Sequence, residues 1–196
     1  MAPFAGYDMP LWYKSVTEEH LAVRNHAGIF DVAHMGVFDV KGEGAEQFLD
    51  TVATNDVQRL AIGDSHYTYF LDTDGIPLDD LMIYRLADDH FLVVVNASNN
   101  NKNWQWLNDV IAGKVMIDPA NPSRKIGGTD RFELRDLRTS QWGDEQRVDI
   151  ALQGPASRDM LLQLDGSEED KAAVKALKWA QVAQVTLGGF DLIASR

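Results

Sequence analysis

The sequence predicts an α+β fold: an antiparallel sheet with helices packed against one side of it. Three observations lead there. The strand-like runs Tyr67-Thr68-Tyr69-Phe70-Leu71 and Leu81-Met82-Ile83-Tyr84 are joined across Asp74-Gly75, a turn dipeptide, and so read as a hairpin. A third strand-like run, Phe91 to Asn96, follows at once. On either side of this block apolar residues recur at helical spacing, with Ala45, Phe48, Leu49 and Val52 before it and Trp104, Leu107, Val110 and Ile111 after it.

In chain order, Ser15-Val16-Thr17-Glu18 has the form of a capping box, in which a serine and a glutamate satisfy free amides at a helix start. The helix runs through Arg24 and stops near Gly28. Val37 to Gly42 reads as a short strand, followed by the helix over Ala45 to Val52 and then by the hairpin. Ala97-Ser98-Asn99-Asn100-Asn101 offers N-caps, Asn99 among them, for a helix that stops at Gly113. Residues 118–147 change character. Asp118-Pro119, Asn121-Pro122 and Gly127-Gly128 are turn signals, and Phe132-Glu133-Leu134 is at most a short strand inside a polar excursion. That excursion is expected to be mobile and to be cut by proteases between Asn121 and Gly128. Strand character resumes from Val148 to Gln153. Pro155 then opens a helix with Met160, Leu161 and Leu164 as its apolar face, and Ser167 caps another. Two strand-like pieces, Ala180 to Leu187 and Phe190 to Ala194, meet at Gly188-Gly189. The strands of the sheet are thus expected from residues 37–96 and 148–194.

Composition narrows the function. The 196 residues suit one large domain or one and a half small ones, with no apolar run long enough to span a membrane and no signal peptide read at the first residues. The formal net charge of −12 disfavours nucleic acid as a ligand, because phosphate binding needs clustered Lys and Arg. The absence of cysteine removes disulfides, thiolate metal sites and thiol nucleophiles. It fits a reducing compartment, and the expected location is cytoplasmic. None of the five histidines stands at a metal-ligand spacing, so no metal is expected. Neither a nucleophile elbow nor a phosphate-binding loop is present.

The pair Asp79-Asp80 is the candidate for chemistry. Strand alternation sends the two carboxylates to opposite faces, so only one of them can face a site. Tyr67, Tyr69 and Tyr84 flank the pair on the two arms of the hairpin, and Met35 could join them from the preceding strand region. A carboxylate among aromatics and a thioether could hold a flat, partly polar heterocycle. From spacing alone the same group reads as a plain aromatic core.

Several segments carry a family resemblance. They are Phe4-Ala5-Gly6-Tyr7-Asp8-Met9-Pro10, Glu18 to Arg24, Ala27 to Gly36, Thr54-Asn55-Asp56, Asp74-Gly75-Ile76-Pro77-Leu78-Asp79-Asp80-Leu81, Val94-Val95-Asn96-Ala97 and Leu152-Gln153-Gly154-Pro155. In order and spacing they resemble the N-terminal part of the glycine-cleavage T-protein, a folate-dependent aminomethyltransferase. The resemblance implies a folate-binding α+β fold with ferredoxin-like elements. It also implies a reaction: an aminomethyl unit passes from a lipoyl arm on H-protein to tetrahydrofolate, with release of ammonia. Tetrahydrofolate is then the acceptor substrate and H-protein the partner, with no metal, nucleic acid or membrane. By family position Asp80 is the catalytic acid, and Met35, Tyr67, Met82, Tyr84 and Asn96 lie near the pterin. Near the folate nitrogens, such a carboxylate would orient them and stabilise positive charge as ammonia leaves.

Two departures accompany the resemblance. The family is shorter between Gly113 and Val148, so residues 118–147 read as an insertion. The sequence stops at Ala194-Ser195-Arg196, just before the family's T-G-Y-T-G-E motif. The chain is therefore expected to be a truncated N-terminal portion, inactive by itself. The rival readings are a folate-dependent demethylase of the same superfamily and a non-catalytic folate-binding protein. Asp80 speaks against the second rival.

Overall fold

The computed structural model describes residues 1–121 and 131–196. In chain order the strands are β1 (Ala2–Phe4), β2 (Tyr7–Met9), β3 (Gly28–Asp31), β4 (Gly36–Lys41), β5 (Ser65–Leu71), β6 (Pro77–Ala87), β7 (His90–Val95), β8 (Glu133–Asp136), β9 (Ile150–Gln153), β10 (Val182–Leu187) and β11 (Phe190–Ser195). The helices are α1 (Val16–Asn25), α2 (Ala45–Val52), α3 (Asn100–Ile111), α4 (Ser157–Leu161) and α5 (Glu168–Ala176), with short 3₁₀ turns between some of these elements. The chain divides into two compact units. One comprises Met1–His34, Val148–Trp179 and Ala183–Arg196, and the other Met35–Arg147 and Ala180–Val182.

The second unit is built on a five-stranded antiparallel sheet in the order β5-β6-β7-β4-β8. The turn between β5 and β6 follows from its residues. The Asp72 carboxylate accepts from the backbone N–H of Asp74 and of Ile76, both at 2.9 Å, and Gly75 takes the positive φ of 79° that the turn requires. Alternation then sorts the side chains by face. Phe38, Val40, Phe70, Leu81, Ile83, Phe91, Val93 and Val95 point to one side and are buried against Phe48, Leu49 and Val52 of α2 and Leu107 and Val110 of α3. The stripe expected at Ala45, Phe48, Leu49 and Val52 is buried along its whole length. Each of its large side chains contributes about 1.5–3 kcal/mol by leaving water. Helices thus cover one side of an antiparallel sheet, as the sequence predicts.

The stretch expected as a polar excursion behaves differently in its second half. Residues 133–136 are β8, the sheet's fifth strand, paired with β4 from Phe38↔Asp136 to Lys41↔Glu133. Phe132 stacks on Phe48 with ring centroids 4.6 Å apart, and Leu134 packs on the main core. The short strand read at Phe132-Glu133-Leu134 is thus present, shifted to 133–136, and it is polar because one face of an edge strand is free to be charged. Of the run expected to be cut by proteases, the residues beyond Asn121 lie outside the described residues.

The first unit is made of short pairs: β1 with β2 and β3 with β9, both antiparallel, and β10 with β11. The first 31 residues hold three strands that the sequence did not announce. They are short and largely exposed, so they lack the alternation that marks a half-buried strand. α1 begins as expected, with Ser15 Oγ accepting from the Glu18 N–H at 3.1 Å. The glutamate that reaches back is Glu19, which accepts from the amides of Tyr13 at 2.7 Å and Lys14 at 2.6 Å. Ser167 caps α5 by accepting from the Asp170 N–H at 3.0 Å. The expected apolar face of α4 is only partly used, since Met160 and Leu164 are exposed. Val174, Val185 and Leu187 form a small core with Leu161, Leu162 and Leu192 around it.

Candidate functional site

Asp79 and Asp80 both lie inside β6, past its first two residues, and alternation separates them completely. Asp79 points to the helix-covered face and is 4% exposed, whereas Asp80 points to the other face and is exposed. Register fixes Asp80's neighbours. Tyr69 on β5 stands opposite it, and the next row on the same face is Tyr67, Met82, Val94 and Val37. The row after that is Ser65, Tyr84, Leu92 and Asp39. Asp80, Met82, Tyr84 and Tyr67 therefore share one face of the sheet. Tyr67 and Tyr69 are exposed, while Met82 and Tyr84 are partly buried.

The acid is held by direct contacts. The Tyr67 hydroxyl donates to Asp80 Oδ2 at 2.7 Å and lies 3.4 Å from the Tyr69 hydroxyl. The Tyr67 and Tyr69 rings meet edge to face, with centroids 5.4 Å apart. The Tyr69 hydroxyl and the Asp80 carboxylate hold the Tyr67 phenol above its ordinary range, so it stays a hydrogen-bond donor at neutral pH. The other carboxylate oxygen, Oδ1, accepts from Asn96 Nδ2 at 3.1 Å. Each oxygen keeps a further lone pair for a ligand's N–H or O–H.

Asn96 follows β7 directly and also donates to the Asp80 backbone carbonyl at 2.8 Å. Met35 directly precedes β4, where Gly36 pairs with Val95, which puts it at the same end of the sheet as Asn96. Gly36 has to be glycine, because a Cβ there would overlap the amide oxygen of Asn100 and the side chain of Val95.

Beneath this face lies a cluster that the sequence reading did not single out. Asp79 accepts from Asn96 N at 3.1 Å, Asn96 Nδ2 at 2.9 Å, Asn99 Nδ2 at 2.6 Å and Asn103 Nδ2 at 2.6 Å. Asn99, expected as a cap, does occupy the N-cap position of α3, but its side chain makes no cap bond and turns to Asp79 instead. Spacing was the available signal: Asn99 and Asn103 are four residues apart, which places them on one helix face. Among the described residues no group of three or more His, Cys, Asp or Glu is arranged to hold a metal ion. A surface depression lined by Leu162, Glu168, Lys171, Ala172 and Lys175 belongs to the first unit and contains none of these site residues.

The family model for the GCVT N-terminal domain matches residues 1–196. The chain belongs to this family. It is 37% identical over 193 residues to an aminomethyltransferase of Anoxybacillus flavithermus, covering 98% of this chain and 46% of the relative. It is 38% identical over 196 residues to one of Chlorobaculum parvum, covering 100% of this chain and 47% of that protein. Over a stretch of 107 residues identity to the aminomethyltransferase of Chloroherpeton thalassium reaches 48%, covering 55% of this chain and 30% of the relative. Among solved structures, the glycine cleavage system aminomethyltransferase T from Bartonella henselae matches with a TM-score of 0.73 at 31% identity, over 94% of this chain and 43% of that one. The chain thus spans about half the length of full-chain relatives, and it corresponds in fold to a GCVT N-terminal portion.

Proposed function

We propose that this chain provides the tetrahydrofolate-facing acid of a glycine-cleavage aminomethyltransferase, with Asp80 as the catalytic residue. In this reading the aminomethyl unit arrives on a sulfur of the lipoyl arm of H-protein; its carbon–sulfur and carbon–amine bonds break as the carbon is joined to two nitrogens of tetrahydrofolate, and the two protons those nitrogens lose end on the released ammonia and on the dihydrolipoyl thiol. The observation that carries the reading is the setting of Asp80, an exposed carboxylate fixed by Tyr67 and Asn96 on an aromatic face. The donor set suits the acceptor. The rings of Tyr67 and Tyr69 and the side chain of Met82 offer flat, polarizable surface, and Asp80 offers acceptor lone pairs to ring N–H groups.

The chain's own contribution is positional and electrostatic. Tyr67 and Asn96 each engage one oxygen of Asp80, so the carboxylate is oriented before any ligand arrives. Asp80 would hold or take a proton at a nitrogen of the acceptor as the one-carbon unit is joined there, and its charge would favour the positive charge that develops. Met35, Tyr84 and Asn96 complete the proposed pterin surroundings. A cytoplasmic setting belongs to the same reading. Among the described residues no helix is long and apolar enough to cross a membrane.

Two measurements test this. Tetrahydrofolate binding is followed in this chain by quenching of its tyrosine and tryptophan fluorescence. Turnover is followed as methylenetetrahydrofolate formed from aminomethyl-loaded H-protein, with this chain joined to the remaining residues of the Chlorobaculum parvum relative. Asp80→Asn is expected to retain most of the folate affinity while turnover falls by ~10²-fold or more, the effect of a positioned acid or base. Equal turnover in the two proteins would remove Asp80 from catalysis.

A further inference from the structure

We propose that the buried Asp79 is a positioning residue for Asp80, acting through the side-chain amide of Asn96. This rests on the reading of Asp80 as the working acid. Asp79 and Asp80 cannot touch the same ligand, because they face opposite sides of β6. Asn96 joins them. Its Nδ2 lies 2.9 Å from Asp79 Oδ1, 2.8 Å from the Asp80 carbonyl and 3.1 Å from Asp80 Oδ1.

An amide nitrogen carries two hydrogens, and here both are directed at oxygens. If the amide were turned over, its own oxygen would face two carboxylates and a carbonyl, with nothing to donate. The charge on Asp79, together with the carbonyl and carboxylate of Asp80, therefore fixes which end of Asn96 is presented to Asp80, and Asp79 anchors that amide from the far side of the strand. That N–H grips Asp80 Oδ1 and leaves Oδ2 for the Tyr67 hydroxyl.

The rest of the cage shows how strongly this charge orders its surroundings. Asn99 gives up helix capping to donate to it. Asn103 also donates to it, which leaves the buried Asn103 Oδ1 without a hydrogen-bond partner. An unsatisfied buried carbonyl is costly, so the orientation of Asn103 is imposed by the carboxylate rather than chosen by the amide. The described donors to Asp79 are neutral amides, which solvate its charge without cancelling it.

A carboxylate that merely fastened α3 to the sheet would act on stability alone. The distinguishing readout is the phenol of Tyr67, which reports where the Asp80 carboxylate sits. It is followed by phenolate absorbance in this chain, with Tyr67→Phe identifying its titration. In Asp79→Asn the Tyr67 titration is expected to move down toward the ordinary value of 10.0 while the far-ultraviolet circular dichroism is kept. Asn96→Ala leaves Asp79 three of its four donors, the backbone N–H of residue 96 and the amides of Asn99 and Asn103, and it is expected to move the titration by the same amount. The double variant is expected to move it no further, since both changes cut one link. Asn99→Ala removes a cage donor that does not reach Asp80, so it should lower the melting temperature and leave the titration in place.

Should Asp79→Asn fail to fold, Asn96→Ala decides alone. An unmoved Tyr67 titration in a folded Asp79→Asn or in Asn96→Ala, or shifts that add in the double variant, overturns the proposal. In the joined protein Asp79→Asn is expected to lower kcat on the order of tenfold or more, with KM for tetrahydrofolate nearly unchanged. The catalytic reading fails separately: if Asp80→Asn turns over normally, the Tyr67 measurements still report whether Asp79 aims Asp80.

Discussion

Asp39 and Asp79 are two buried carboxylates of one sheet, and they are held by opposite means. Asp39 is 2% exposed and lies on the same face as Asp80. It is met by His90 Nε2 at 2.5 Å and by Arg135, whose Nε and Nη2 donate at 3.1 and 2.8 Å. Arg135 also donates to Glu145 at 2.5 Å and stacks over the Trp142 ring at 5.0 Å. Burial opposes ionisation of Asp39, but the hydrogen bonds from His90 and Arg135 outweigh it and hold its carboxyl below the ordinary value of 3.8.

Asp79, by contrast, is surrounded by asparagine amides. The contrast shows two uses of a buried charge. Paired with a guanidinium, the charge is spent locally, and it clamps the edge strand β8 to β4 and β7. Solvated by amides, it stays available to orient dipoles, and the dipole it orients reaches Asp80.

The largest expected effect tests the clamp. Asp39→Ala leaves the Arg135 guanidinium largely buried opposite nothing on β4, and it should cost about 3–5 kcal/mol by urea denaturation. The clamp also predicts a pH dependence. Because the folded pKa of Asp39 is depressed, its stabilisation is fully present above 3.8 and is lost as pH falls from there through the folded value. Acid titration of Asp39→Asn should accordingly be flatter below 3.8 than that of the wild type. Parallel curves would mean that the cation pair contributes nothing to folding.

A smaller loss is expected from the cage. Asp79→Asn turns an acceptor of four bonds into a group that must also donate among donors, and it should cost about 1–3 kcal/mol in the same denaturation experiment. The smallest effect sharpens the comparison most. At an N-cap, Asp serves as well as Asn, so a capping role predicts that Asn99→Asp is neutral. The cage predicts a loss of about 1 kcal/mol or more, because a donor to Asp79 becomes a second carboxylate. An unchanged melting temperature for Asn99→Asp would show that Asn99 is only a cap.

Much of the fold was legible because local patterns carried it. The 45–52 stripe, the Asp74-Gly75 turn, the caps at Ser15 and Ser167 and the Gly188-Gly189 hairpin each have a short-range cause that a sequence displays. The elements that escaped, or that were read only as a short isolated strand as at 132–134, have causes elsewhere. β8 exists because β4 offers an open edge, and the short pair β3–β9 joins segments more than 100 residues apart. Neither partner of that pair has a pattern strong enough to announce the other.

The candidate site divides in the same way. By itself the sequence determined that Asp79 and Asp80 face opposite ways, since alternation along a strand is a property of the backbone. It also brought Tyr67, Tyr69 and Tyr84 into consideration together, as the flanks of the pair on the two arms of one hairpin. Only the tertiary structure decided which carboxylate goes to which side. That depended on α2 and α3 covering one face of the sheet, which buried Asp79 and left Asp80 beside Tyr67. The asparagine cage was decided there too. A hydrogen bond between Asp79 and Asn103 spans 24 positions of chain, and no local propensity encodes a contact that exists only once a helix has docked on a sheet.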